Sequence, residues 1–414
     1  MRILIMGAGL AGVTAAFELL EDGHDVTVID RQPGPAQETS FANAGLVAPG
    51  HAFAWGSPRA PKILMKSLFS KGQPLRYRLR FDPALWRWSL KFLKECSAER
   101  ARINTERKHR LCRYAQLALQ DVVSRTGVEY DGERRGLLYL YRKSESFENG
   151  ARNMQIMMDA GHELEEIDRD RAAEIDPALE PSKGKIAGGF YAPSDESGDA
   201  HKFTVALAGL CKERGARFRY DTTVTGIRTE GDNIDEIQTD QGAMKADLYV
   251  MALGSFSPVI ARSLRETVSV YPVKGYSATL PINGANNPPT LGGIDEDNLF
   301  AYVRIGDSVR LTAVAEFAGY DTSHKPSDFS PMLKAAKELL PNAGDYDRPS
   351  YWACLRPMTP EGTPILGKGR LQNLYYNTGH GHMGWTMACG TARITADLIA
   401  GRRPDLPMDG MTLR

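Results

Sequence analysis

The first thirty residues contain the pattern that most constrains the fold of this chain. Gly7-Ala8-Gly9-Leu10-Ala11-Gly12 joins a short apolar run, residues 2–6, to a segment with helical periodicity, residues 10–20. A second apolar run, residues 25–29, ends at Asp30. In such a βαβ unit the glycines permit a tight turn, close approach of a pyrophosphate and close packing of helix on strand. The pattern therefore predicts a dinucleotide site in which Asp30 accepts hydrogen bonds from ribose hydroxyls.

The rest of the sequence favours FAD over NAD as the dinucleotide. Residues 247–254 (DLYVMALG) resemble the second strand that contacts FAD in flavoproteins with this motif. No second βαβ unit with this motif and a terminal acid is visible for a nicotinamide cofactor. Disulfide reductases share the first motif, but they require a redox-active cysteine pair, and the chain has no CxxC. We therefore expect FAD.

The composition of the chain limits the cellular compartment and the binding partners that we expect for it. The chain has 414 residues, 42% of them hydrophobic, and its 51 Lys and Arg balance 51 Asp and Glu. A balanced charge argues against nucleic acid as a partner. The five cysteines are scattered, so neither disulfides nor a metal site are expected, and a cytoplasmic location fits. The apolar N-terminus is interrupted by glycines and followed by acids, so it is interpreted as strand and helix rather than as an export signal.

Periodicity predicts a mixture of strands and helices along the remaining chain. A long loop is predicted for residues 33–61, rich in Gly, Pro and Ala. Helices are predicted at 83–109, 202–214, 331–340 and 384–400. Strands are predicted at 136–141, 217–239 (a pair around Gly231-Asp232-Asn233), 247–253, 268–280, 300–316 and 374–377.

The order of these elements predicts an α/β protein with two interleaved domains. Nucleotide-binding signals occur at the start of the chain, near residue 250 and at the end. We expect a discontinuous, Rossmann-like FAD-binding domain made of residues 1–50, 185–262 and 350–414. An α+β substrate domain is expected to comprise residues 51–184 and 263–349.

Four further blocks resemble the D-amino acid oxidase superfamily and, within it, the bacterial D-amino acid dehydrogenases. They are TSFANAG (39–45), YPVKGYS (271–277), LRPMTPEGTPILG (355–367) and NTGHGHMGWTMACG (377–390). With the GxGxxG motif they extend the resemblance over nearly the whole chain. The resemblance implies the fold of D-amino acid oxidase, in which the FAD-binding and substrate domains are interleaved as described above.

The resemblance also implies FAD-dependent oxidative deamination of a small D-amino acid. A hydride passes from the substrate Cα to flavin N5, and the imino acid hydrolyses to a 2-oxo acid and ammonia. The electrons then pass to quinone or another acceptor. Two alternatives stay open: oxidation of a secondary or cyclic amine (D-proline, D-hydroxyproline or sarcosine), and a non-catalytic subunit that relays electrons through its flavin.

Three residues are candidates for the catalytic site. An enzyme for α-amino acids has to hold a carboxylate, and a guanidinium offers a planar two-point match. The resemblance places the family's carboxylate-binding arginine at Arg356, a residue that a relay subunit would not need. His382 is expected in the substrate pocket, although hydride transfer from a neutral amine does not require a base. Tyr276 is expected on the substrate side, with a place in the core as the alternative.

The residues expected to contact FAD come from several parts of the chain. The amides of residues 379–384 and the dipole of the helix that follows are expected to stabilise negative charge on the reduced flavin. His380 is expected to position this backbone. The full set is Gly7, Gly9, Leu10, Ala11, Gly12, Asp30, Arg31, Ser40, Asn43, Ala44, Gly45, Val224, Gly254, Gly379, His380, Gly381, Gly384, Trp385 and Thr386.

Attachment of the flavin is expected to be non-covalent. In the sarcosine and pipecolate oxidases of the superfamily, a cysteine before a Thr-Pro-acid triplet bonds covalently to the flavin 8α-methyl group. Cys354 has the same spacing from Thr359-Pro360-Glu361. However, Arg356-Pro357 follows the dehydrogenase pattern, so a covalent link to Cys354 is the alternative.

The chain departs from the dehydrogenase pattern at positions that border the flavin or the substrate. His51 stands where those enzymes carry Tyr, and Thr312-Ala313 where they carry Gly-Gly. His382 replaces a Thr or another small residue. These departures leave open a substrate other than D-alanine, such as a hydroxylated, cyclic or secondary amine.

Residues 59–94, here called the basic segment, carry Lys and Arg interleaved with large apolar side chains. Asp82 is the acid within this segment, against ten basic residues. Such a composition suits peripheral contact with an anionic membrane surface, with a solvated helix face as the alternative. If this contact exists, the enzyme lies on the inner face of the cell membrane and reduces quinone.

Overall fold

The computed structural model of the chain describes residues 1–69, 75–78 and 80–413, except for the side chains of residues 63 and 66–69. These residues form ten α-helices and twenty strands. The helices are α1 (Leu10–Glu21), α2 (Ala60–Phe69), α3 (Pro83–Lys94), α4 (Ala98–Thr126), α5 (Ser144–Asp159), α6 (Arg169–Ile175), α7 (Ala200–Glu213), α8 (Ser257–Ala261), α9 (Ser330–Leu339) and α10 (Gly384–Ile399). None of these helices is long and apolar enough to cross a membrane.

Most strands belong to two large sheets. The first ten strands are β1 (Arg2–Met6), β2 (Asp25–Ile29), β3 (Leu46–Val47), β4 (Leu75–Tyr77), β5 (Leu137–Tyr141), β6 (Glu165–Ile167), β7 (Gly188–Ala192), β8 (Glu196–Ser197), β9 (Arg217–Arg219) and β10 (Val224–Glu230). The others are β11 (Asn233–Thr239), β12 (Gly242–Met244), β13 (Leu248–Met251), β14 (Tyr271–Pro281), β15 (Gly292–Asp295), β16 (Phe300–Ile305), β17 (Ser308–Phe317), β18 (Ser350–Met358), β19 (Ile365–Lys368) and β20 (Leu374–Thr378).

The first sheet has the order β19-β20-β13-β1-β2-β9, and all its pairs are parallel except β19 with β20. Its central strands are buried apolar runs, as expected for a sheet that is covered on both faces. Helices α1, α7 and α10 pack together on one face through a shared apolar core. This is the predicted Rossmann-like arrangement, and β1 lies next to both β2 and β13.

The second sheet has nine strands and is largely antiparallel. Its main path is β18-β14-β17-β16-β15-β5-β7-β6, and β4 pairs with β17. Helix α9 packs on it through Phe329, Met332 and Leu339, which join its apolar core. The chain passes from this sheet to the first sheet between β18 and β19.

The predicted domain division stays a prediction, but sheet membership differs from it in two places. Strands β7 and β18 belong to the nine-stranded sheet, although residues 185–262 and 350–414 were assigned to the FAD-binding domain. Helix α4, predicted within the substrate domain, packs on α10 and contributes Leu119 to the core of the first sheet. The chain passes between the two sheets more often than the predicted domain boundaries allow.

Two predicted elements are wrong in their extent. The helix predicted at 83–109 is two helices, because α3 ends at Lys94 and Ser97 caps the start of α4 by accepting a hydrogen bond from the Arg100 amide (3.2 Å). The strand predicted at 300–316 is a hairpin of β16 and β17, which turns at Gly306 with a φ of 53°. In both cases a local turn or cap interrupts a continuous apolar pattern.

Candidate active site

A cavity of about 840 Å³ lies between the two sheets and is called here the central cavity. This volume is within the range of about 300–1,000 Å³ that is usual for sites of sizeable ligands. Its lining includes the Gly7–Gly9 turn, Trp55 and Phe92 on α3. The cavity can therefore hold a long ligand that begins at the dinucleotide turn.

The glycines of the turn have the conformations and contacts that a pyrophosphate site requires. Gly7 has a φ of 110°, and a Cβ atom there would lie 2.6 Å from the Ala252 carbonyl oxygen. A Cβ atom on Gly12 would lie 1.9 Å from the Gly7 carbonyl oxygen, so this glycine lets α1 pack on β1. A Cβ on Gly9 would meet only the Ser40 hydroxyl, at 3.5 Å. Gly9 faces the central cavity, where a phosphate could approach its backbone.

Asp30 lies at the end of β2 on the cavity wall. Its carboxylate accepts hydrogen bonds from the amides of Ala8 (2.6 Å) and Gln32 (2.9 Å). Burial raises the pKa of Asp30, and these two bonds oppose that shift. Next to it, the Arg31 guanidinium lies 3.9 Å from the centre of the Phe256 ring and pairs with Glu38. This end of the cavity offers an acceptor for ribose hydroxyls beside an exposed cation.

The loop after β2 closes the cavity from one side. The Ser40 hydroxyl accepts a hydrogen bond from the Leu10 amide (3.1 Å), and Asn43 accepts one from Gly45 (2.9 Å). Gly45 has a φ of 69°, which fixes the turn into β3. The side-chain oxygen of Asn377, another lining residue, is buried and has no hydrogen-bond partner among the described residues. The glycine turn, the cavity length and this unpaired acceptor fit FAD.

Nearly all predicted FAD contacts line the central cavity. Gly12 and Gly379 do not. Gly12 packs against the Gly7 backbone, and a Cβ atom on Gly379 would lie 2.8 Å from the Thr359 methyl group. These two glycines shape turns behind the wall. The lining residues are Gly7, Gly9, Leu10, Ala11, Asp30, Arg31, Ser40, Asn43, Ala44, Gly45, Val224, Gly254, His380, Gly381, Gly384, Trp385 and Thr386.

Arg356 points into the cavity from β18. Its Nη1 atom donates a hydrogen bond to the Val314 carbonyl oxygen (2.6 Å), and no carboxylate forms an ion pair with it in the part of the chain that the structure describes. Burial lowers the pKa of the guanidinium. A Cβ atom on Gly275 would lie 2.5 Å from the guanidinium carbon, so Gly275 provides its space. Arg356 is a desolvated cation that is available to a carboxylate ligand.

Tyr276 occupies the other face of the same sheet. Gly275 pairs with Cys354, and Arg356 lies two residues further along β18, so these three share a face, while the neighbouring Tyr276 points the opposite way. The Tyr276 hydroxyl donates to Glu316, and its ring packs against Phe329 in the core. Its backbone borders the cavity, but this geometry favours the structural alternative for its side chain.

The two histidines of the NTGHGHMG block have different surroundings. His380 is buried, its Nε2 atom lies 2.9 Å from the Thr391 hydroxyl, and burial lowers its pKa to about 4. This contact holds the entry to α10, the positioning role expected for it. His382 lines the cavity and stacks on Trp55, with ring centres 5.0 Å apart. Burial, followed by the charges of Lys108, His51 and Arg356, holds the pKa of His382 well below its usual value.

Sequence reasoning missed several residues around His382. Phe53, Trp55 and Glu296 line the cavity, and Lys108 on α4 donates a hydrogen bond to the Phe53 carbonyl oxygen. The two aromatic residues lie in the segment 33–61, for which only a long loop was predicted. Lys108 gave no signal because it lies inside a helix with many charges. Among the described residues, no cluster of His, Cys, Asp or Glu is placed to hold a metal ion.

Comparisons with known proteins agree with this geometry. The model of the FAD-dependent oxidoreductase (DAO) family matches residues 2–398. The chain is 43% identical over 412 residues to D-amino acid dehydrogenase 2 of Mesorhizobium japonicum, covering 99% of both chains. It is 42% identical over 414 residues to the D-amino acid dehydrogenase of Paramagnetospirillum magneticum, covering 99% of this chain and 98% of the relative.

Solved structures share the fold at lower identity. Glycine oxidase from Geobacillus kaustophilus superposes with a TM-score of 0.76 at 21% identity, covering 100% of this chain and 98% of that one. Iminodiacetate oxidase from a Chelativorans species gives a TM-score of 0.75 at 19% identity, covering 100% and 99%. From the family match over residues 2–398 and the curated relatives above 40% identity, the chain belongs to the FAD-dependent oxidoreductase family.

Proposed function

We propose that this enzyme is an FAD-dependent dehydrogenase of small D-amino acids, which it converts to 2-oxo acids and ammonia. The observation that carries this proposal is Arg356, a half-buried guanidinium on the cavity wall without a carboxylate partner among the described residues. A desolvated cation of this kind is stabilised by a bound carboxylate. The names of the relatives, D-amino acid dehydrogenase, supply the substrate class.

The residues that line the cavity have two roles in the proposed reaction: they hold the substrate and they exclude water from it. Arg356 fixes the substrate carboxylate, so that the Cα–H bond has one orientation in the cavity. Trp55 and His382 cover the same region and exclude water from it. His382 is neutral at physiological pH because its pKa is strongly lowered, so it adds no charge beside the amine. The chemistry that bound FAD would supply is acceptance of a hydride from Cα, and the imino acid would then hydrolyse in water to the 2-oxo acid and ammonia.

The N-terminal end of α10 is placed to stabilise negative charge on a bound cofactor. Gly381 and Gly384 line the cavity just before and at the first turn of this helix. The positive end of the helix dipole and its free amides favour negative charge there. His380 keeps this segment in place through Thr391. We expect this end of the cavity to hold the pyrimidine edge of the flavin.

We propose that the flavin is held without a covalent bond. Cys354 lines the cavity on the face that carries Arg356, and burial raises the pKa of its thiol. A neutral thiol is a poor nucleophile. The alternative is a thioether from Cys354 to the flavin, which would keep the flavin on the protein after acid precipitation.

We also propose peripheral contact with a membrane and a quinone as the acceptor of electrons. Trp86, Leu90 and Leu93 on α3 are 53%, 63% and 48% exposed, and they lie along one side of that helix. Arg87 and Lys94 are exposed beside them. An apolar stripe flanked by cations suits an anionic lipid surface. Residues 70–74 and 79 of the basic segment, with Lys71 among them, lie outside the described residues.

Phe92, on the buried face of α3, lines the central cavity, while the exposed face of this helix carries the apolar stripe. This proximity supports entry of an apolar acceptor from the membrane side.

A screen with a dye acceptor tests the proposed substrate class. Purified protein is given D-, L- and N-methyl amino acids, together with D-proline and D-hydroxyproline, and dye reduction and ammonia are measured. We expect oxidation of D-enantiomers with release of ammonia. Oxidation of N-methyl or cyclic amines alone would favour the secondary-amine alternative. An absence of oxidation with a fully reducible flavin would favour an electron-relay subunit.

A further inference from the structure

A carboxylate stands in the substrate region of the central cavity without a role in the proposed reaction. Three carboxylates line the cavity in the described part of the chain: Asp30, Glu38 and Glu296. Asp30 and Glu38 lie at the dinucleotide end, where they contact Ala8 and Arg31. Glu296 follows β15 and lies against His51, with 2.7 Å between Glu296 Oε1 and His51 Nε2. The two side chains keep 13% and 23% of their surface exposed, as expected for residues of a cavity wall.

The ring of His51 is held in one orientation. It stacks on Tyr139, with ring centres 5.3 Å apart, and meets Phe53 edge to face. Tyr139 is fixed in turn, because its hydroxyl donates to the buried Asp195, which also accepts from the Gly50 amide (3.1 Å). The His51–Glu296 pair is therefore a preorganised polar surface rather than a mobile surface contact.

The charges around this pair restrict the ligands that it can take. Besides burial, Lys108, His51 and Arg356 all lower the pKa of His382, so this region has a positive potential. That potential disfavours a substrate with a cationic side chain. The carboxylate of Glu296 in turn accepts hydrogen bonds and disfavours a second anionic group. A neutral donor such as a hydroxyl group satisfies both conditions, whereas an aliphatic side chain offers no donor to Glu296.

We propose that the His51–Glu296 pair is a specificity-determining subsite that selects D-amino acids with a hydroxylated side chain or ring over their aliphatic counterparts. The proposal rests on the proposed function, since Arg356 has to hold the carboxylate for the side chain to reach the pair. Trp55, stacked on His382, provides a flat apolar wall next to this subsite. A short or cyclic side chain with one hydroxyl group matches this surface.

Matched substrate pairs test this inference on the unmodified enzyme. D-Serine is compared with D-alanine, and 4-hydroxy-D-proline with D-proline, by kcat/KM with a dye acceptor. A hydrogen bond to a charged group in a dry site favours the hydroxylated member by about tenfold or more. Equal or lower kcat/KM for both hydroxylated members would overturn the subsite. Oxidation of none of the four would overturn the proposed function itself, and the subsite with it.

Two substitutions test whether a preference for hydroxylated substrates depends on the His51–Glu296 pair. In Glu296→Gln and His51→Phe we expect the preference for the hydroxylated member to fall at least about fivefold, because a charge-assisted hydrogen bond is weakened or lost. The preference is taken as the ratio of kcat/KM values within each variant, so a change in rate that is common to both members of a pair cancels. Glu230→Gln, an exposed carboxylate on β10, is the matched control and should leave the preference unchanged. Equal losses for both members of a pair would show that Glu296 only maintains structure and would contradict the subsite.

Discussion

At the scale of single residues, the site depends on the fit between Arg356 and the strand beside it. Gly275 leaves the space that the guanidinium fills, because a Cβ atom there would lie 2.5 Å from Arg356 Cζ. The Val314 carbonyl accepts one of the guanidinium N–H groups, so other donors remain for a ligand. The arginine is thus positioned before substrate arrives, and this preorganisation reduces the entropy lost on binding.

Replacement of this arginine should separate substrate binding from cofactor binding. Arg356→Lys keeps the charge but loses the planar two-point contact, and we expect KM for D-amino acids to rise at least about 30-fold, for a loss on the order of 2–5 kcal/mol. FAD occupancy, measured as the ratio of flavin to protein absorbance, should not change. Gly275→Ala should raise KM in the same direction by displacing the guanidinium. Unchanged steady-state kinetics in Arg356→Lys would rule out the carboxylate contact.

Lys108 gives the folded state a specific pH dependence. Burial lowers its pKa to about 8 from an ordinary value of 10.5. Between these two values the unfolded chain binds more protons than the folded chain, so stability contributed by this residue rises with pH across that window and is lower below it. We expect the free energy of unfolding of wild type minus that of Lys108→Met to increase between pH 8 and pH 10.5. A difference that is flat or falls over this range would contradict the buried position of the charge.

Covalent and non-covalent attachment of the flavin differ in whether the Cys354 sulfur is bonded to it. If the thiol only packs in the wall, acid precipitation of the protein leaves all the yellow colour in the supernatant as free FAD, and Cys354→Ser behaves in the same way. If a thioether is present, the flavin of wild type stays in the pellet, whereas the flavin of Cys354→Ser, which cannot form this bond, appears in the supernatant. We expect the first result because burial keeps the thiol protonated.

At the scale of elements, the βαβ unit joins backbone geometry to cofactor binding. Gly12 sits where α1 crosses β1, and its absent side chain brings the helix N-terminus up to the Gly7 turn. Gly209, on α7, has open space around it and serves as a matched control. Gly12→Ala should lower FAD occupancy and destabilise the fold, measured by flavin absorbance and by chemical unfolding. Gly209→Ala should stabilise the chain by up to about 1 kcal/mol. Full FAD occupancy in Gly12→Ala would contradict the assigned packing role.

Helix α3 carries the proposed membrane contact. We expect the protein to cosediment with anionic vesicles at low salt and less at high salt, because Arg87 and Lys94 are exposed beside the apolar stripe. The double variant Trp86→Ser, Leu90→Ser should reduce binding at both salt concentrations. Leu117→Ser on α4 removes an equally exposed apolar side chain (57%) elsewhere and should have no effect. An absence of binding at low salt would leave only the solvated-face interpretation.

Local patterns in the sequence were sufficient for much of the first sheet and for the cofactor end of the cavity. Glycine spacing and apolar runs specify β1, α1 and β2 because the contacts involved are near in sequence. The direction in which Tyr276 points depends on the pairing of β14 with β18, which brings together residues far apart in the chain. Periodicity cannot reveal such a pairing. The contact between His51 and Glu296 is equally remote in sequence and was missed for the same reason.

At the scale of the whole molecule, the cavity exists only because the two sheets are interleaved. The first sheet supplies the dinucleotide turn and the start of α10, and the nine-stranded sheet supplies Arg356 and Glu296. We therefore expect purified protein to be yellow and to release FAD, identified by chromatography against FMN and FAD standards. A colourless protein that binds NAD tightly would contradict the assignment of the cavity.

Anaerobic mixing of the holoenzyme with single amino acids, while the visible absorption of the flavin is followed, tests the proposed reaction most directly. We expect D-alanine and D-serine to bleach this absorption in wild type, and each flavin reduced to yield one 2-oxo acid and one ammonia. The L-enantiomers should leave the flavin oxidised, and Arg356→Lys should require far higher substrate concentrations for the same rate. A flavin that dithionite reduces but that stays oxidised with every D-amino acid would contradict the central claim.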